Sequence, residues 1–412
     1  MSPRSRTWLS ATLAATAAIG LVGCSSSNTA GSSASGSASG QAPVSNGAAQ
    51  VKVTLTNDGG DKCTVDHTSA PAGPVTFTVT NVSSTAISEV ELQSNLKILG
   101  EKENLAPGLP ASSFTVTLTG GQYTVYCPGA DTQNQTFTVS GTVASTPSSD
   151  TQQLLTQGTT SYAAWVVSQM QDMQTAVNTL QEAVNAGNLD QAKQAYVHAR
   201  TFYEKVESDV DGFVMPGFAA DDNRGNLDYL IDMRASNIDD KVGWSGFHAV
   251  ERDLYQAGAI SDQTKTYAND LKSNVDKLVD VSKDLDYKPE DLANGAADLL
   301  EEVQSTKISG EEEEFSHVDL SDFAGNIEGA QQAFANLQPG LEKIDPALTD
   351  DVATQFTAVQ DALNAYRDPN SPGGYIPWTQ ENRDKYSKQL SQTVLALQQP
   401  LQRIAEKVAT AQ

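Results

Sequence analysis

Between Val51 and Val143 apolar residues occupy alternate positions: Val51, Val53 and Leu55; Val75, Phe77 and Val79; Phe114, Val116 and Leu118; Tyr123 and Val125; Phe137 and Val139. Threonine stands between most of them. A period of two puts the apolar side chains on one strand face and the threonines on the wet one. Turn signals at Asp58-Gly59-Gly60, Ala72-Gly73-Pro74, Pro107-Gly108 and Gly120-Gly121 separate the runs. Together they predict a β-sandwich of about seven strands over 51–143.

The period then changes. After a polar joint at 144–150, Tyr162, Val166, Met170, Met173, Val177, Leu180 and Val184 recur at spacings of three and four, which marks an amphipathic helix. Gly187-Asn188 closes it, and similar patterns cover 189–210, 245–257, 262–285, 289–306, 310–337, 346–366 and 380–410. Residues 151–412 are thus expected to form a helical bundle, interrupted by a loop rich in Gly, Pro and Asp from 211 to 243. The fold class is a multidomain β plus all-α chain.

The first fifty residues follow neither period. Arg4 and Arg6 precede an apolar stretch from Trp8 to Val22 that is too short to span a bilayer stably, and 1–23 reads as a signal peptide. Its end, Leu21-Val22-Gly23-Cys24, resembles the bacterial lipobox, in which the cysteine is acylated. Ser25 to Asn46 is almost wholly Ser, Ala and Gly, a flexible tether over 24–50. The expected location is extracytoplasmic, with Cys24 holding the chain to the membrane by lipid.

Charge narrows the partners. The formal net charge is −25, and residues 150–412 carry forty-three acidic side chains against twenty basic ones. Such a field repels nucleic acid and anionic polysaccharide and concentrates cations. With Cys24 lipidated, Cys63 and Cys127 remain, and in an oxidising compartment they pair as a disulfide or contribute thiols to a metal site, either with Glu89 and Glu91 on one strand face or with Glu101 and Glu103 in the loop before Pro107. Blue copper is rejected, because it needs two histidines, a thiolate and usually a methionine. Residues 51–143 hold only His67 and no methionine, and Pro128-Gly129 follows Cys127.

In the helical part, Gly246-Phe247-His248-Ala249-Val250-Glu251 reads as a helix start. His248 and Glu251, three apart, project from one face and can converge on a cation. Arg252 comes next, so the zinc-protease patterns HExxH and HxxEH are both absent. Ser309 and Glu312 have the spacing of a capping box, and Glu311 to Glu314 are expected mostly to face water. His317, Asp319, Asp322 and Asn326 add polar groups downstream. Glu204 and Glu207 form another convergent pair.

Gly246-Phe-His248-Ala-Val-Glu251, Leu300-Glu-Glu302-Val, Lys307-Ile-Ser-Gly-Glu311-Glu312 with Ser316-His317 and Asp319-Leu320, and Glu103-Asn104-Leu-Ala-Pro107-Gly108 together resemble the EfeO family of iron-uptake components. The resemblance runs from Val51 to the C-terminus. It implies an N-terminal cupredoxin-like domain joined to an imelysin-like helical domain, and a non-enzymatic carrier working with an iron permease (EfeU) and a haem peroxidase (EfeB). It implies metal ligation at His248 and Glu251, with Glu204, Glu207, Glu311 and Glu312 nearby and an aspartate to be chosen among Asp228, Asp232 and Asp239. Asp232 lies in an Ile-Asp-x-Arg segment like the family's. A second site is implied at Cys63, Cys127, Glu89, Glu91, Glu101 and Glu103. The cargo is iron, as Fe2+ or Fe3+, with copper or zinc as alternatives at a site that contains nitrogen. An imelysin-like metallopeptidase is the competing reading.

Overall fold

Alternation produces strands where it was strongest. In a computed structural model, which describes residues 40–94, 97–143, 149–210, 213–219 and 222–411, two five-stranded sheets share one core. The expected signal peptide 1–23, Cys24 and most of the expected tether lie outside the described residues. The first sheet runs Val44–Ser45, Ala48–Asn57, Gly73–Asn81 and Ser112–Leu118, with Asp61–Val65 also paired to Ala48–Asn57. The second runs Ser69–Pro71, Asn134–Ser140, Gly121–Tyr126, Val90–Ser94 and Lys97–Lys102. Phe77 stacks on Phe114 at 5.1 Å and meets Phe137 edge-on at 5.2 Å. Ten strands replace the seven expected, because short edge strands carry too few residues to show a period.

The sheet also starts before Val51. Asn46 and Gly47, both at positive φ, turn the chain so that Val44 pairs with Ala49, and Ala42, Ala48 and Ala49 are buried. Alanine is small enough to pack there, so this end of the expected tether is strand.

Helices follow from Asp150. The first, Asp150–Asn185, is closed at its start by a capping box between Ser149 and Gln152, and it buries Tyr162, Val166, Met170, Met173, Val177, Leu180 and Val184, the stripe seen in the sequence. Two later helices change pitch near their ends. Gly246–Glu251 continues as a π-helix over Arg252–Ala257, and Pro289–Glu302 as one over Val303–Lys307. Such widened turns re-aim side chains and are frequent at functional sites.

One expectation fails between 310 and 318. That stretch is not helical; the helix there is Asp319–Ile344. Gly310 (φ 73°) and His317 (φ 59°) sit in the left-handed region, and the Ser309 hydroxyl donates to the Thr306 carbonyl at 2.8 Å instead of forming a capping box with Glu312.

The described strands and helices belong to one compact unit. Asn294 serves as a substitute strand partner for Ser112–Leu118, at the edge of its sheet. Its Nδ2 donates to the Thr115 carbonyl at 2.7 Å and its Oδ1 accepts from the Thr115 N–H at 3.3 Å, which caps an edge that could otherwise pair with another chain. Lys102, fully buried, crosses to Asp298 and Glu301.

Candidate metal centre

Helix Leu189–Glu204 turns one face inward, burying Ala192, Tyr196, Ala199, Arg200, Tyr203 and Glu204. Arg200 and Glu204 are four apart and therefore neighbours on that face. The short helix Gly246–Glu251 approaches from another side. Gly246 sits at φ 79°, and a Cβ there would lie 2.1 Å from the Ile231 carbonyl oxygen. Only glycine lets the helix start this close, and the start aims both His248 and Glu251 inward.

His248 Nδ1 is 3.0 Å from Glu251 Oε2. The other Glu251 oxygen accepts the backbone N–H groups of Phe315 and Ser316 at 2.9 and 2.7 Å. This clamp fixes the ring and points Nε2 toward Asp232 Oδ1 at 3.5 Å and Glu312 Oε1 at 3.3 Å. Nε2 has no hydrogen-bond partner, although His248 is only 1% exposed. Asp232, His248 and Glu312 form one group whose ligand atoms lie within 4.8 Å of one another, and His248, Glu251 and Glu313 form a second.

Charge in this region is out of balance. Glu204, Glu207, Asp232, Glu251, Glu302, Glu312, Glu313, Asp319 and Asp322 are all buried. The buried positive groups among them are Arg200, Lys307 and, when protonated, His248, with the partly covered Arg234 reaching Glu302 and Glu312 at 3.1 and 2.9 Å. Burial disfavours a charge that lacks an opposite partner, and the acids respond accordingly. Burial and the neighbouring Glu251 push Glu313 up to about 8, and burial raises Asp319 and Asp322 well above the carboxylate range. Glu312 goes the other way: against burial, the nearby positive groups of Lys307, Arg234, His248 and Arg200 hold it well below. For His248, burial and Arg200 oppose the charged form, yet the neighbouring carboxylates of Glu251, Glu312 and Glu313 carry it up to about 10. The set is one of hard oxygens with one imidazole, short of positive charge.

His248, Glu251, Asp232 and Glu312 converge, and Glu204 joins them through Arg200 and Lys307. Glu207 reaches the group through Lys307, 3.2 Å from its Oε2, and through the Asn326 amide at 3.1 Å. Glu311 does not join; it lies at the rim, bonded to Ser236 and 3.8 Å from Arg234. Asp228 bonds to the Tyr203 hydroxyl, and Asp239 accepts from Asn223 in its own loop. Sequence reasoning missed Glu313, placed with the solvated glutamates, and gave no role to Arg200, Lys307 or Arg234. Arg200 had one legible signal, its i,i+4 spacing to Glu204.

On the sandwich, Glu89, Glu91 and Glu101 form a third group within 4.8 Å. Glu91 and Glu101 are direct cross-strand partners, a like-charge pairing that costs energy unless something positive intervenes. Burial, then Glu103 and Glu91, raises Glu89 well above its usual range; burial and Glu302 push Glu103 up to about 8. Cys63 and Cys127 are joined in a disulfide. The reading that put their thiols among metal ligands is corrected, since bonded sulfurs carry no thiolate charge to offer a cation. A cavity of about 70 Å³ joins the two regions, with Glu101 and Glu103 on its sandwich side and Asp228, Asp232, Arg234 and Glu302 on its helical side.

A β-sandwich fused to a helical unit whose core holds a histidine among buried carboxylates defines a two-part protein class. Residues 158–404 match the imelysin family (Peptidase_M75), and the chain belongs to that family. It is similar to the iron uptake system component EfeO of Escherichia coli K12, 30% identical over 364 residues that span 87% of this chain and 90% of the relative. The EfeO proteins of Shigella flexneri and of Escherichia coli O157:H7 align with the same identity and extent. A solved chain from Parabacteroides distasonis overlays at a TM-score of 0.47 with 16% identity, covering 65% of this chain and 97% of that one, a likeness too loose to argue from.

Proposed function

We propose that the protein is the iron-binding component of an uptake system of the EfeO kind, held outside the cytoplasmic membrane through lipid on Cys24, and that it passes iron to an EfeU-type permease beside an EfeB-type haem peroxidase. The observation that carries this reading is the unpartnered Nε2 of buried His248, aimed at Asp232 and Glu312 within a surplus of buried carboxylates. A cation relieves both features at once: displacing the Nε2 proton, it takes the nitrogen as a ligand, and it supplies the missing charge. Carboxylate oxygens with one imidazole suit Fe2+ or Fe3+, and copper or zinc compete for the nitrogen. The names of the relatives support iron as the cargo. The cavity lined by Asp232 and Glu302 offers the way in. The sandwich is assigned as cupredoxin-like without a copper centre, its Glu89, Glu91 and Glu101 group making an outer, weaker site.

The competing reading is a metallopeptidase, which needs an open metal position and a bound peptide. Ligand residues that are 0–7% exposed fit an ion better than a polypeptide strand. Metal titration of the purified chain beside His248→Ala and Glu251→Ala tests the site. Loss of one high-affinity equivalent in both variants is expected, and unchanged stoichiometry and affinity would sink the assignment. Cleavage of an unfolded protein by the zinc-loaded chain would favour the peptidase.

A further inference from the structure

Arg200 grips the same oxygen atoms that face His248. Its Nη1 bonds to Asp232 Oδ1, and its Nη2 lies 2.9 Å from Glu312 Oε1; these are the two atoms 3.5 and 3.3 Å from His248 Nε2. The guanidinium also bonds to Glu204 Oε1 and lies 3.3 and 3.4 Å from Glu313 and Asp322. It is completely buried and packs over Phe247 and Tyr203, 5.4 and 5.6 Å from their ring centres.

We infer that Arg200 is a built-in competing cation, a side chain that occupies the candidate centre's oxygens when metal is absent and must give them up when it binds. The inference rests on the metal-carrier reading above. A coordinated ion sits about 2.0–2.2 Å from its oxygens, so a guanidinium on those same atoms would face the ion a few ångströms away in a medium that screens poorly. Two positive groups do not share these oxygens at that separation without one retreating. The planar fork of arginine matches carboxylates closely and never loses its proton, so the competition persists at every physiological pH. It keeps the empty centre folded and limits the grip on cargo, which a carrier needs in order to release it.

Lys307 provides the contrast. It meets Glu312 through Oε2 at 3.4 Å and Glu204 through Oε2 at 3.2 Å, and reaches Glu207 and Glu302. None of these contacts uses an oxygen that faces His248 Nε2. Lys307 is therefore a permanent counter-charge, compatible with a bound ion.

A residue that merely held Asp232 and Glu312 in place would weaken binding when removed, whereas a competitor would strengthen it. The test uses Zn2+, which has no redox chemistry, with the full chain and with Arg200→Gln, Arg200→Lys and His248→Ala, reading Kd by competition with a chelating dye and dissociation by chase with excess chelator. Arg200→Gln should lower Kd at least tenfold, mostly through slower dissociation, with Arg200→Lys between it and the unaltered chain. Equal or weaker zinc binding by a folded Arg200→Gln overturns the inference while leaving the carrier reading intact, provided His248→Ala has lost zinc. Zinc retained by His248→Ala overturns both. If Arg200→Gln does not fold, a zinc-loaded crystal of the unaltered chain decides. The guanidinium should have left Asp232 Oδ1 and Glu312 Oε1, and zinc on His248 with Arg200 still bonded to both would refute the idea.

Discussion

The two acidic groups of this molecule use the same chemistry in opposite surroundings. Around His248 the candidate ligand residues are 0–7% exposed, and basic side chains are built in among them. On the sandwich edge Glu89 and Glu101 are partly open to water, and only Glu91 is buried. Water and salt reach part of the outer group, so its repulsion, although it raises Glu89, is smaller than at the centre and its hold on a cation weaker. The inner group is screened by almost nothing, so each charge must be met by a fixed partner. The inner centre is organised by the chain's own fixed cations, Arg200 and Lys307, and three measurements can break or sharpen that contrast.

The largest effect is expected from the inner counter-charge. Lys307 is fully buried against Glu204, Glu207, Glu302 and Glu312. Lys307→Met leaves those acids without it, and losing one partner of a buried ionic network costs about 3–5 kcal/mol. Chemical denaturation at neutral pH should show that loss, and added metal should restore more of it than in the unaltered chain. A loss below about 1 kcal/mol would mean that the inner acids are met by something other than fixed cations.

How much of this was legible depends on what made each element. Strands such as Gly73–Asn81 and the helix Asp150–Asn185 are made by a hydrophobic period, and the period is written in the sequence. The hairpin at Asn46-Gly47 was written there too, as a two-residue turn signal, but it was hidden within a stretch whose composition resembled a tether. The centre was half legible. His248 and Glu251 come from one turn of helix, whereas Glu312 and Glu313 are drawn inward by Arg200, more than a hundred residues earlier in the chain, with Lys307 adding to the pull on Glu312. Four consecutive glutamates say nothing about which of them face a distant cation. The irregular backbone of 310–318 follows from that pull and from Gly310 and His317, not from any local period.

Asp209 offers a third surrounding, an acid met by neutral donors. The hydroxyls of Tyr162 and Tyr287 donate to it at 2.9 and 2.7 Å, yet burial outweighs them and pushes it up to about 6. Its folded value lies above its unfolded one, so the native state binds the proton more tightly. The stability this brings is complete below about pH 4 and is lost as pH rises to about 6, a change of about 2–3 kcal/mol. Asp209→Asn should flatten that part of a stability-against-pH curve. An unchanged slope between pH 4 and 6 would show that two tyrosine hydroxyls suffice to hold the buried charge, and fixed cations would then be less necessary at the inner centre.

The smallest effect is expected at the sandwich edge. Glu91 and Glu101 face each other across paired strands, Glu89 is raised by burial and by its neighbours Glu103 and Glu91, and the Gln93 amide donates to Glu91 at 2.5 Å. Glu91→Gln removes one like charge from the cluster while keeping a side chain of nearly the same size. Without metal it should raise stability at pH 7 by about 0.5 kcal/mol, in the range of a relieved cross-strand repulsion. The gain should fade as pH falls into the range, well above the usual carboxylate one, where Glu89 takes up its proton, and should shrink in high salt. The variant should also lose any weak second equivalent in a metal titration and leave the first, at His248, unchanged within about threefold. A Glu91→Gln that instead loosened the tight equivalent would join the two groups into one site through the shared cavity, and the contrast between a screened edge and an unscreened centre would no longer describe the molecule.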